Sequence, residues 1–394
     1  MLSFENTEIA FKSKTNKDLS RAYWLFKIIG SPKMVRLGKW FTNLALKLNL
    51  PIRSMVKKTI FRQFCGGEHI DECDETIHKL GAFGIGTILD YSVEGQTSSE
   101  AFEETTQEII STIEKAKNSE HIPFAVFKVT GISRFGLLEK ANKSEEVLSE
   151  KEQKELSEVK DRVRRICGAG HQSSVPVFID AEESWIQDVI DRMAYDMMLL
   201  FNKERAIVYN TLQMYRHDRL DFLGKELDQA KFDKIRYGVK LVRGAYMEKE
   251  RARAAAKGYP SPIQPDKNAT DKDFDLALKK LVENIDYAEI CAGTHNENSS
   301  RYLSELMKEK GLDPRDHRIY FAQLLGMSDH ISYNLSNSLY NVAKYVPYGP
   351  VKEVMPYLLR RADENTSVKG QTGRELSLII TEKKRRKEQR MNHK

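Results

Sequence analysis

The amino-acid sequence predicts an α/β protein built on a (β/α)8 barrel of the TIM-barrel type, with a helical arm before it. Short runs of β-branched and apolar residues recur eight times between residues 84 and 349. Stretches long enough for a helix separate these runs, and polar residues follow nearly every run. A strand followed by a helix, repeated about eight times, is typical of a barrel of parallel strands.

The predicted strands are short segments rich in Val, Ile, Phe and Tyr. In chain order they are GIGTILDY (84–91), FAVFKVT (124–130), VPVFID (175–180), AIVYNTLQ (206–213), GVKLVRGAY (238–246), AEICAGTHN (288–296), IYFAQLLG (319–326) and NVAKYVPYG (341–349). Two of the intervening helices stand out. The segment 144–166 is highly charged, and 273–288 carries an apolar stripe at helical spacing.

A doubly wound open sheet is the competing architecture, but its phosphate-binding loop is missing. The segment GAFGIG supplies Gly84 and Gly86 without a third glycine, and it precedes a predicted strand. In a dinucleotide-binding fold the glycine-rich loop follows a strand and opens a helix. Because GAFGIG does not meet these conditions, the sequence favours the barrel over the open sheet.

Polar residues at the ends of the predicted strands indicate where a site would lie. They are Asp90 and Glu94, Lys128, Asp180, Gln213, Arg243, Thr294 and His295, Gln323, and Tyr345. In a barrel all these strand ends converge on one rim, which is where active sites of this fold occur. A single such residue is usually the start of a loop, whereas a succession of eight predicts a functional rim.

The helix predicted after the eighth strand carries an ordered polar stripe beside its apolar one. Tyr357, Arg360, Arg361 and Glu364 lie at i, i+3, i+4 and i+7, which is one helix face. Two adjacent arginines suit bidentate capture of a carboxylate or phosphate. The alternative is an exposed arginine pair with Glu364 as an ion-pair partner. The position at the rim favours anion binding.

The bulk composition is that of a globular protein without a nucleic-acid signature. The chain has 394 residues, of which 40% are hydrophobic and 30% charged, and a net charge of +6. The four cysteines lack CxxC spacing, which favours reduced thiols over disulfides or a metal site. We see no apolar run long enough to span a bilayer and no apolar signal core near Met1. These features predict an intracellular protein.

Two basic segments flank the predicted barrel. Between residues 31 and 67 basic residues alternate with aromatic and aliphatic ones, and the chain ends in EKKRRKEQRMNHK. Both could contact an anionic membrane surface or nucleic acid, or be a solvated helical arm and a frayed tail. We divide the chain into an N-terminal helical arm (1–80), the barrel (81–375) and a basic C-terminal tail (376–394).

Six segments in a fixed order carry a family resemblance: VFKVTG, FIDAEES, VKLVRGAY, AGTHN, YVPYGPV and YLLRRADENTS. Together they resemble the signature set of proline dehydrogenase, the flavin-dependent enzyme of proline catabolism. The resemblance runs from about Gly81 to Ser367, and YVPYGPV and FAQLLGMSD are closer to its monofunctional, eukaryote-like branch. It implies a distorted (β/α)8 barrel that binds FAD and oxidises L-proline to Δ1-pyrroline-5-carboxylate.

The resemblance also implies the residues of the substrate site. Arg360, Arg361 and Lys128 would hold the substrate carboxylate. Asp180 would lie beside Lys128 and Tyr345 and fix the tyrosine. The remaining expected substrate contacts are Tyr345, Tyr357, Leu324, Glu364 and Glu94. The role of Glu94 follows from its position and not from the resemblance: it ends the first strand and faces Arg360 across the predicted rim, so we expect the two to pair as a gate over the substrate.

The implied cofactor site draws on three strand ends, and no metal ligands are expected. Its residues are Gln213, Lys240, Val242, Arg243, Gly244, Ala245, Thr294, His295 and Asn296. A positive group such as Lys240 near the flavin would stabilise the charge that accumulates on reduction. Met247 replaces an aromatic residue found in some family members.

Alternatives from two classes remain open at this point. A 4-hydroxyproline dehydrogenase would share the fold and cofactor and differ at the ring contacts. A basic binding protein could have kept the barrel without catalysis. In the enzyme interpretation the resemblance implies a membrane quinone as electron acceptor, peripheral membrane contact through the basic arm, and no nucleic-acid partner. It also implies a cytoplasmic location, on the inner membrane face, or the mitochondrial matrix in a eukaryote.

Overall fold

The computed structural model of the chain describes residues 2–31, 33–38, 53–93, 97–367 and 371–392. Within these residues eight parallel strands form a closed barrel whose spatial order is the chain order. The strands are β1 (Ile85–Tyr91), β2 (Phe124–Phe127), β3 (Val177–Ile179), β4 (Val208–Gln213), β5 (Tyr237–Val242), β6 (Ala288–Gly293), β7 (Ile319–Leu324) and β8 (Val342–Tyr348). Each overlaps one of the predicted runs, so the predicted (β/α)8 barrel is confirmed.

The barrel closes through the longest strand pairing. β1 pairs with β8 in register from Ile85 opposite Val342 to Tyr91 opposite Tyr348. The barrel is unevenly built, since β1 and β2 share only two register pairs, Ile88 with Phe124 and Leu89 with Ala125. The short strands β2 and β3 give way early to loops, and these loops bring Lys128 and Asp180 to the rim.

Helices surround the barrel and extend beyond it at both ends of the chain. They are α1 (Thr7–Ala10), α2 (Asn16–Ile29), α3 (33–38), α4 (Arg53–Val56), α5 (Arg62–Phe64), α6 (Asp74–Gly81), α7 (Ser99–Lys117), α8 (Phe135–Lys143), α9 (Glu150–Ser173), α10 (Ser184–Phe201), α11 (Arg219–Asp233), α12 (Met247–Lys257), α13 (Lys267–Glu283), α14 (Glu297–Glu309), α15 (Asp329–Asn337), α16 (Val351–Ser367) and α17 (Gln371–Asn392). The charged predicted helix corresponds to α9, which begins with a capping box of Ser149 and Glu152.

Aromatic side chains fill the inside of the barrel. The rings of Phe124 and Phe178 stack with centroids 4.4 Å apart, and Tyr209 meets both edge-on. Above them Tyr345 lies parallel to Phe178 at 6.3 Å. This interior is a packed core rather than a pore, and Tyr345 is held at its upper end.

A second hydrophobic cluster lies outside the barrel and joins three segments distant in sequence. Phe61 and Phe64 of the arm, Val354 and Leu358 of α16, and Ile379 of α17 are buried together in it. The cluster packs the arm and the C-terminal helix against the helix that follows β8.

The arm is also hydrogen-bonded to the end of β8. Gly66 donates its N–H to Pro347 at 2.9 Å, and Gly349 donates to the carbonyl of Gly67 at 3.1 Å. A Cβ atom on Gly66 would come within 2.6 Å of Val346. Only glycine allows this close approach of two backbones.

The predicted basic tail forms α17, which packs against α2 and α1. Glu382 is fully buried and pairs with Arg385 and Arg386, and Arg386 donates to the carbonyls of Phe11 and Lys14, both at 2.9 Å. The proposed division into arm, barrel and tail stays a prediction. All four cysteines are free and buried, in agreement with the prediction of reduced thiols.

Candidate active site

Lys240, Asp180 and Tyr345 form a buried polar cluster at the carboxyl ends of the strands. Lys240, only 3% exposed, donates hydrogen bonds from its ammonium group to Asp180 and to the hydroxyl of Tyr345. The same ammonium group lies 4.5 Å from the ring centroid of Tyr345 and 5.1 Å from that of Phe178. Burial and the nearby Asp180 raise the pKa of Tyr345 well above its usual value. Its protonated hydroxyl can therefore donate to Asp180, 3.4 Å away.

Lys128 lies at the end of β2, where its charge acts on Asp90 and Glu182. Burial raises the pKa of Asp90, although Lys128 opposes this shift. Burial likewise raises the pKa of Glu182 to about 7, against the opposing effects of hydrogen bonds from Thr130 and of Lys128. The resemblance implies Asp180 beside Lys128 and Tyr345. The structure shows Asp180 in contact with Tyr345 and also with Lys240, and the proximity of Asp180 to Lys128 stays a prediction.

The helix that follows β8 carries the tyrosine and the two arginines of the predicted polar stripe. α16 begins directly after Gly349 and Pro350. Tyr357 and Arg361 are buried, 7% and 8% exposed, and the guanidinium carbon of Arg361 lies 5.2 Å from the ring centroid of Tyr357. Arg360 is partly buried. The arginine pair thus faces the protein rather than bulk solvent.

The charge of Arg361 also acts on one predicted cofactor residue, His295. Burial lowers the pKa of His295 to about 3, and the positive charges of Lys344 and Arg361 add to this effect. The imidazole is therefore neutral near pH 7. Its Nδ1 atom lies 2.9 Å from the hydroxyl of Ser328. The predicted carboxylate clamp and a predicted cofactor contact are close enough for their electrostatics to be coupled.

Arg243, at the end of β5, links the other predicted cofactor residues. Its guanidinium group donates to Asp271 at 2.7 Å, to the hydroxyl of Thr294 at 2.6 Å and to that of Ser299 at 2.9 Å. Asn296 caps α14 by accepting hydrogen bonds from the first backbone N–H groups of the helix. The guanidinium group of Arg243 therefore lies beside the N-terminus of α14.

The turn from β5 to α12 contains Val242, Gly244 and Ala245. Gly244 has a φ of 128°, and a Cβ atom there would meet the ring of Tyr215 at 2.6 Å. Gln213 at the end of β4 is 4% exposed and donates to the carbonyl of Glu182 at 3.0 Å. The side-chain oxygen of Gln213 has no hydrogen-bond partner within the described part of the chain.

Two predicted substrate contacts, Glu94 and Glu364, lie wholly or partly outside the part of the chain that the structure describes. Glu94 lies outside the described residues, as does the side chain of Glu364, so the proposed gate stays a prediction. Leu324, the expected ring contact, ends β7 and packs in both the barrel interior and the second cluster.

Two buried charged residues near the rim have no role in the sequence-based prediction, whereas Asp90 is among the predicted strand-end residues. Glu182, 3% exposed, occurs in the sequence only as a member of the segment FIDAEES. Lys344 on β8 is fully buried and pairs with Asp329 at 2.7 Å. A lysine within an otherwise apolar strand, NVAKYVPYG, was the available signal for an interior charge.

The sequence model of the family described as proline dehydrogenase matches residues 73–374. This range contains the barrel and all the rim residues described above. The chain belongs to the proline dehydrogenase family. It is therefore an oxidoreductase that acts on proline.

Relatives along nearly the whole chain agree with this family. Proline dehydrogenase 1, mitochondrial, of Dictyostelium discoideum is 32% identical over 97% of this chain and 74% of its own length. The protein of the same name from Arabidopsis thaliana is 32% identical over 95% of this chain and 85% of its own length.

A solved structure supports the fold. Proline utilization A from Bdellovibrio bacteriovorus, inactivated by N-propargylglycine, superposes with a TM-score of 0.72 at 19% identity. The alignment covers 94% of this proline dehydrogenase chain and 40% of that protein. The shared architecture is the barrel with its flanking helices.

Proposed function

We propose that this proline dehydrogenase oxidises L-proline to Δ1-pyrroline-5-carboxylate with FAD as the hydride acceptor. The observation that carries the proposal is the buried arginine of the helix after β8. Arg361 is 8% exposed and acts electrostatically on His295. A buried guanidinium group above the strand ends suits the carboxylate of an amino acid, which it can bind through two parallel hydrogen bonds.

The residues at the ends of β4, β5 and β6 fit a flavin dinucleotide. The side-chain oxygen of Gln213 is buried without a partner in the described residues, so it offers an acceptor to a ligand N–H group. Arg243 beside the N-terminus of α14 suits a phosphate, because helix N-termini and arginine both favour anions. When bound, FAD supplies the hydride-accepting chemistry.

The remaining residues would bind and orient the substrate. Arg360, Arg361 and Lys128 would hold its carboxylate, while Tyr357 and Leu324 would line its ring. Tyr345 is fixed by its hydrogen bonds with Lys240 and Asp180, so it can present a rigid wall to the ring. The positive charge of Lys240 would also stabilise negative charge that accumulates on the cofactor.

The proposal is tested by the spectrum of the purified protein. We expect a yellow preparation whose flavin absorbance bleaches anaerobically when L-proline is added, and does not bleach in buffer alone. Arg361→Met should bleach only at much higher L-proline concentrations, because a lost charged contact costs about 2–4 kcal/mol. A colourless protein that cannot be reconstituted with FAD would overturn the proposal.

We expect L-proline to be preferred over 4-hydroxyproline. Tyr345 is 8% exposed and cannot move away without breaking its contacts with Lys240 and Asp180. A hydroxyl group added to the substrate ring would therefore clash with the side chain of Tyr345. Comparable kcat/KM values for the two substrates would contradict this preference.

A membrane quinone is the proposed electron acceptor, reached by peripheral contact through the arm. Exposed apolar side chains occur on two arm helices, together with the exposed Lys33 and Arg36; they are Trp24 and Ile28 of α2 and Met34 and Leu37 of α3. Such a mixture suits an anionic lipid surface. Among the described residues no helix combines the length and the apolar character that crossing a bilayer requires. In a eukaryotic cell the location would be the mitochondrial matrix, and otherwise the cytoplasmic face of the inner membrane.

Sedimentation with vesicles tests this contact. Trp24→Ala combined with Leu37→Ala should reduce binding to vesicles that contain phosphatidylserine and should lower quinone reduction at the vesicle surface. Phe232→Ala is the matched control, since Phe232 on α11 is 81% exposed and lies outside the arm. If the double variant and the control lower vesicle binding equally, or if neither lowers it, the proposed membrane contact is wrong.

A further inference from the structure

The loop between β7 and α15 lies between a predicted substrate contact and a predicted cofactor contact. It starts after Leu324 and ends at Ser328, the residue that precedes α15. The hydroxyl of Ser328 lies 2.9 Å from Nδ1 of His295. The conformation of this loop therefore decides how His295 is oriented.

The loop backbone is in a conformation that few sequences adopt without support. Gly326 has a φ of 76° and Ser328 a φ of 51°. The left-handed region is accessible to glycine but unfavourable for serine, whose Cβ crowds the following carbonyl. Ser328 must therefore be held by contacts from elsewhere in the fold.

Three polar side chains from three distant segments hold this loop. Gln63 of the arm donates to the carbonyl of Gly326 at 2.9 Å, and Lys344 of β8 donates to that of Met327 at 2.6 Å. Glu375 of α17 accepts the backbone N–H of Ser328. The first two fix the middle of the loop, and Glu375 fixes the residue that contacts His295.

The position of Glu375 is not explained by the docking of α17 alone. The helix is attached through the buried side chains of Leu378 and Ile379 and through Glu382 with its two arginines. Glu375 is 3% exposed, and burial raises its pKa, which the nearby His330 opposes. A carboxylate is costly to bury. The Glu375 carboxyl group lies 3.9 Å from Nδ1 of His330, and it accepts its hydrogen bond from the loop.

We propose that Glu375 is a positioning residue of the cofactor site, which holds the hydroxyl of Ser328 on Nδ1 of His295 and so fixes the orientation of that imidazole. The inference rests on the proposed function, because His295 is assigned to the FAD site there. In this proposal the C-terminal helix α17 contributes a residue to the cofactor site.

The chemistry follows from the neutral state of His295. A neutral imidazole carries its proton on one ring nitrogen, and a serine hydroxyl can either donate to Nδ1 or accept from Nδ1–H. With Ser328 fixed at Nδ1, the ring is held in one orientation in either tautomer, and Nε2 would remain for a contact with the cofactor. Without Glu375 the serine can leave its left-handed conformation, and the imidazole becomes free to rotate.

The test compares full-length variants by the dissociation constant for FAD and by the ¹⁵N NMR shifts of the His295 ring. Glu375→Ala and Ser328→Ala should each weaken FAD binding about tenfold, and the double variant should be no weaker than either, since both act through one contact. Glu375→Gln keeps an acceptor and should restore most of the affinity. Both alanine variants should change the Nδ1 shift.

Glu382→Gln is the matched control on the same helix. It removes a buried carboxylate that anchors α17 to the N-terminal segment, and it should lower the Tm while the FAD dissociation constant stays within about twofold. An equal loss of affinity in Glu382→Gln, or unchanged affinity and ring shifts in Glu375→Ala, would overturn the inference. If Glu375→Ala does not fold, the FAD dissociation constants of Ser328→Ala and Glu375→Gln test the inference instead. A wild-type protein that binds no FAD would instead count against the proposed function.

Discussion

Lys240 extends from β5 into the aromatic interior of the barrel, with Asp180 as its counter-ion. The side chain of Lys240 is 4% exposed and that of Asp180 15%. A pair buried to this extent is costly to break, because removal of one partner leaves the other charge unneutralised.

Lys240→Met should therefore lower both activity and stability. We expect kcat to fall about a hundredfold, since a group that stabilises developing charge is lost, and the free energy of unfolding to fall by about 3 kcal/mol. Asp180→Asn added to Lys240→Met should recover most of the stability and none of the activity. Denaturant titration and steady-state kinetics provide the two measurements. A single variant as stable as wild type would show that Lys240 does not neutralise Asp180.

Glu182 makes the free energy of unfolding depend on pH. Burial raises its pKa to about 7 from the ordinary value of 4.5. The folded state thus binds this proton more tightly than the unfolded state, so the stabilising contribution is complete below pH 4.5 and is lost as the pH rises through 7. The free energy of unfolding should fall by about 3 kcal/mol over this range.

Glu182→Gln should make the stability curve flatter between pH 4.5 and 7. Glutamine can still accept from the N–H of Thr130, which donates to Glu182 at 3.0 Å, and it has no proton to lose. Unfolding by denaturant at half-unit pH steps checks the result. Glu120→Gln, a change at an exposed carboxylate, should leave the slope as in wild type; a similar slope in Glu182→Gln and wild type would contradict the assignment.

At the scale of elements, the sequence predicted the strands because each is a short apolar run between polar segments. The convergence of Asp180 and Tyr345 followed from the same reasoning, since parallel strand ends share one rim. The contact of Lys240 with both did not, because Lys240 lies within β5 and was expected only from the family resemblance, as a flavin contact. The attachment of the arm to the end of β8 could not be predicted in this way. The hydrogen bonds of Gly66 and Gly67 to the end of β8 join residues some 280 positions apart, and no local pattern encodes such a pairing.

Glu68 continues this attachment and anchors the start of α16. It is 4% exposed and accepts the backbone N–H of Val351 at 3.3 Å. Arg53 and Lys57 neutralise it, both at 2.8 Å. A carboxylate at a helix N-terminus satisfies a free N–H group and interacts favourably with the helix dipole.

Glu68→Ala should loosen the helix that carries Arg360 and Arg361. We expect the KM for L-proline to rise about fivefold, as for loss of a helix cap worth about 1 kcal/mol, with a smaller change in kcat. The control is Glu72→Ala, since Glu72 contacts Lys57 and the backbone of Glu68 but not α16. Equal effects of the two changes on KM would mean that the arm, and not the cap, positions α16.

In the whole molecule, the N-terminal segment around Lys14 and the start of α17 are both bound beside the proposed cofactor site. Lys14 pairs with Asp329 at 3.3 Å, and Asp329 in turn pairs with Lys344. Arg374 of α17 pairs with Glu297 at 2.8 Å, and Glu297 also contacts His330 at 3.0 Å. These pairs could not be predicted from the sequence, because the cations lie in the arm, on β8 and on α17, far along the chain from their acidic partners on α14 and α15.

Acid should release the C-terminal helix before the barrel unfolds. Burial alone would raise the pKa of Glu297, but hydrogen bonds from His330 and Arg374 lower it to about 2. A lowered carboxyl pKa gives stability that is present above pH 4.5 and is lost as the pH falls toward 2. Because Glu297 is partly exposed, we expect a loss of about 2 kcal/mol. Hydrogen-exchange protection factors of α17 should decrease between pH 5 and 3.

Glu297→Gln should remove this pH dependence and give protection in α17 that is low at both pH values. Glu152→Gln is the control, because hydrogen bonds with Lys140 and Ser149 also lower the pKa of Glu152 to about 2, but this residue lies on α9, away from the C-terminal helix. The control should keep the acid release of α17 unchanged. Acid release of the same size in Glu297→Gln would show that another pair, such as Asp329 with Lys14, holds the chain ends in place.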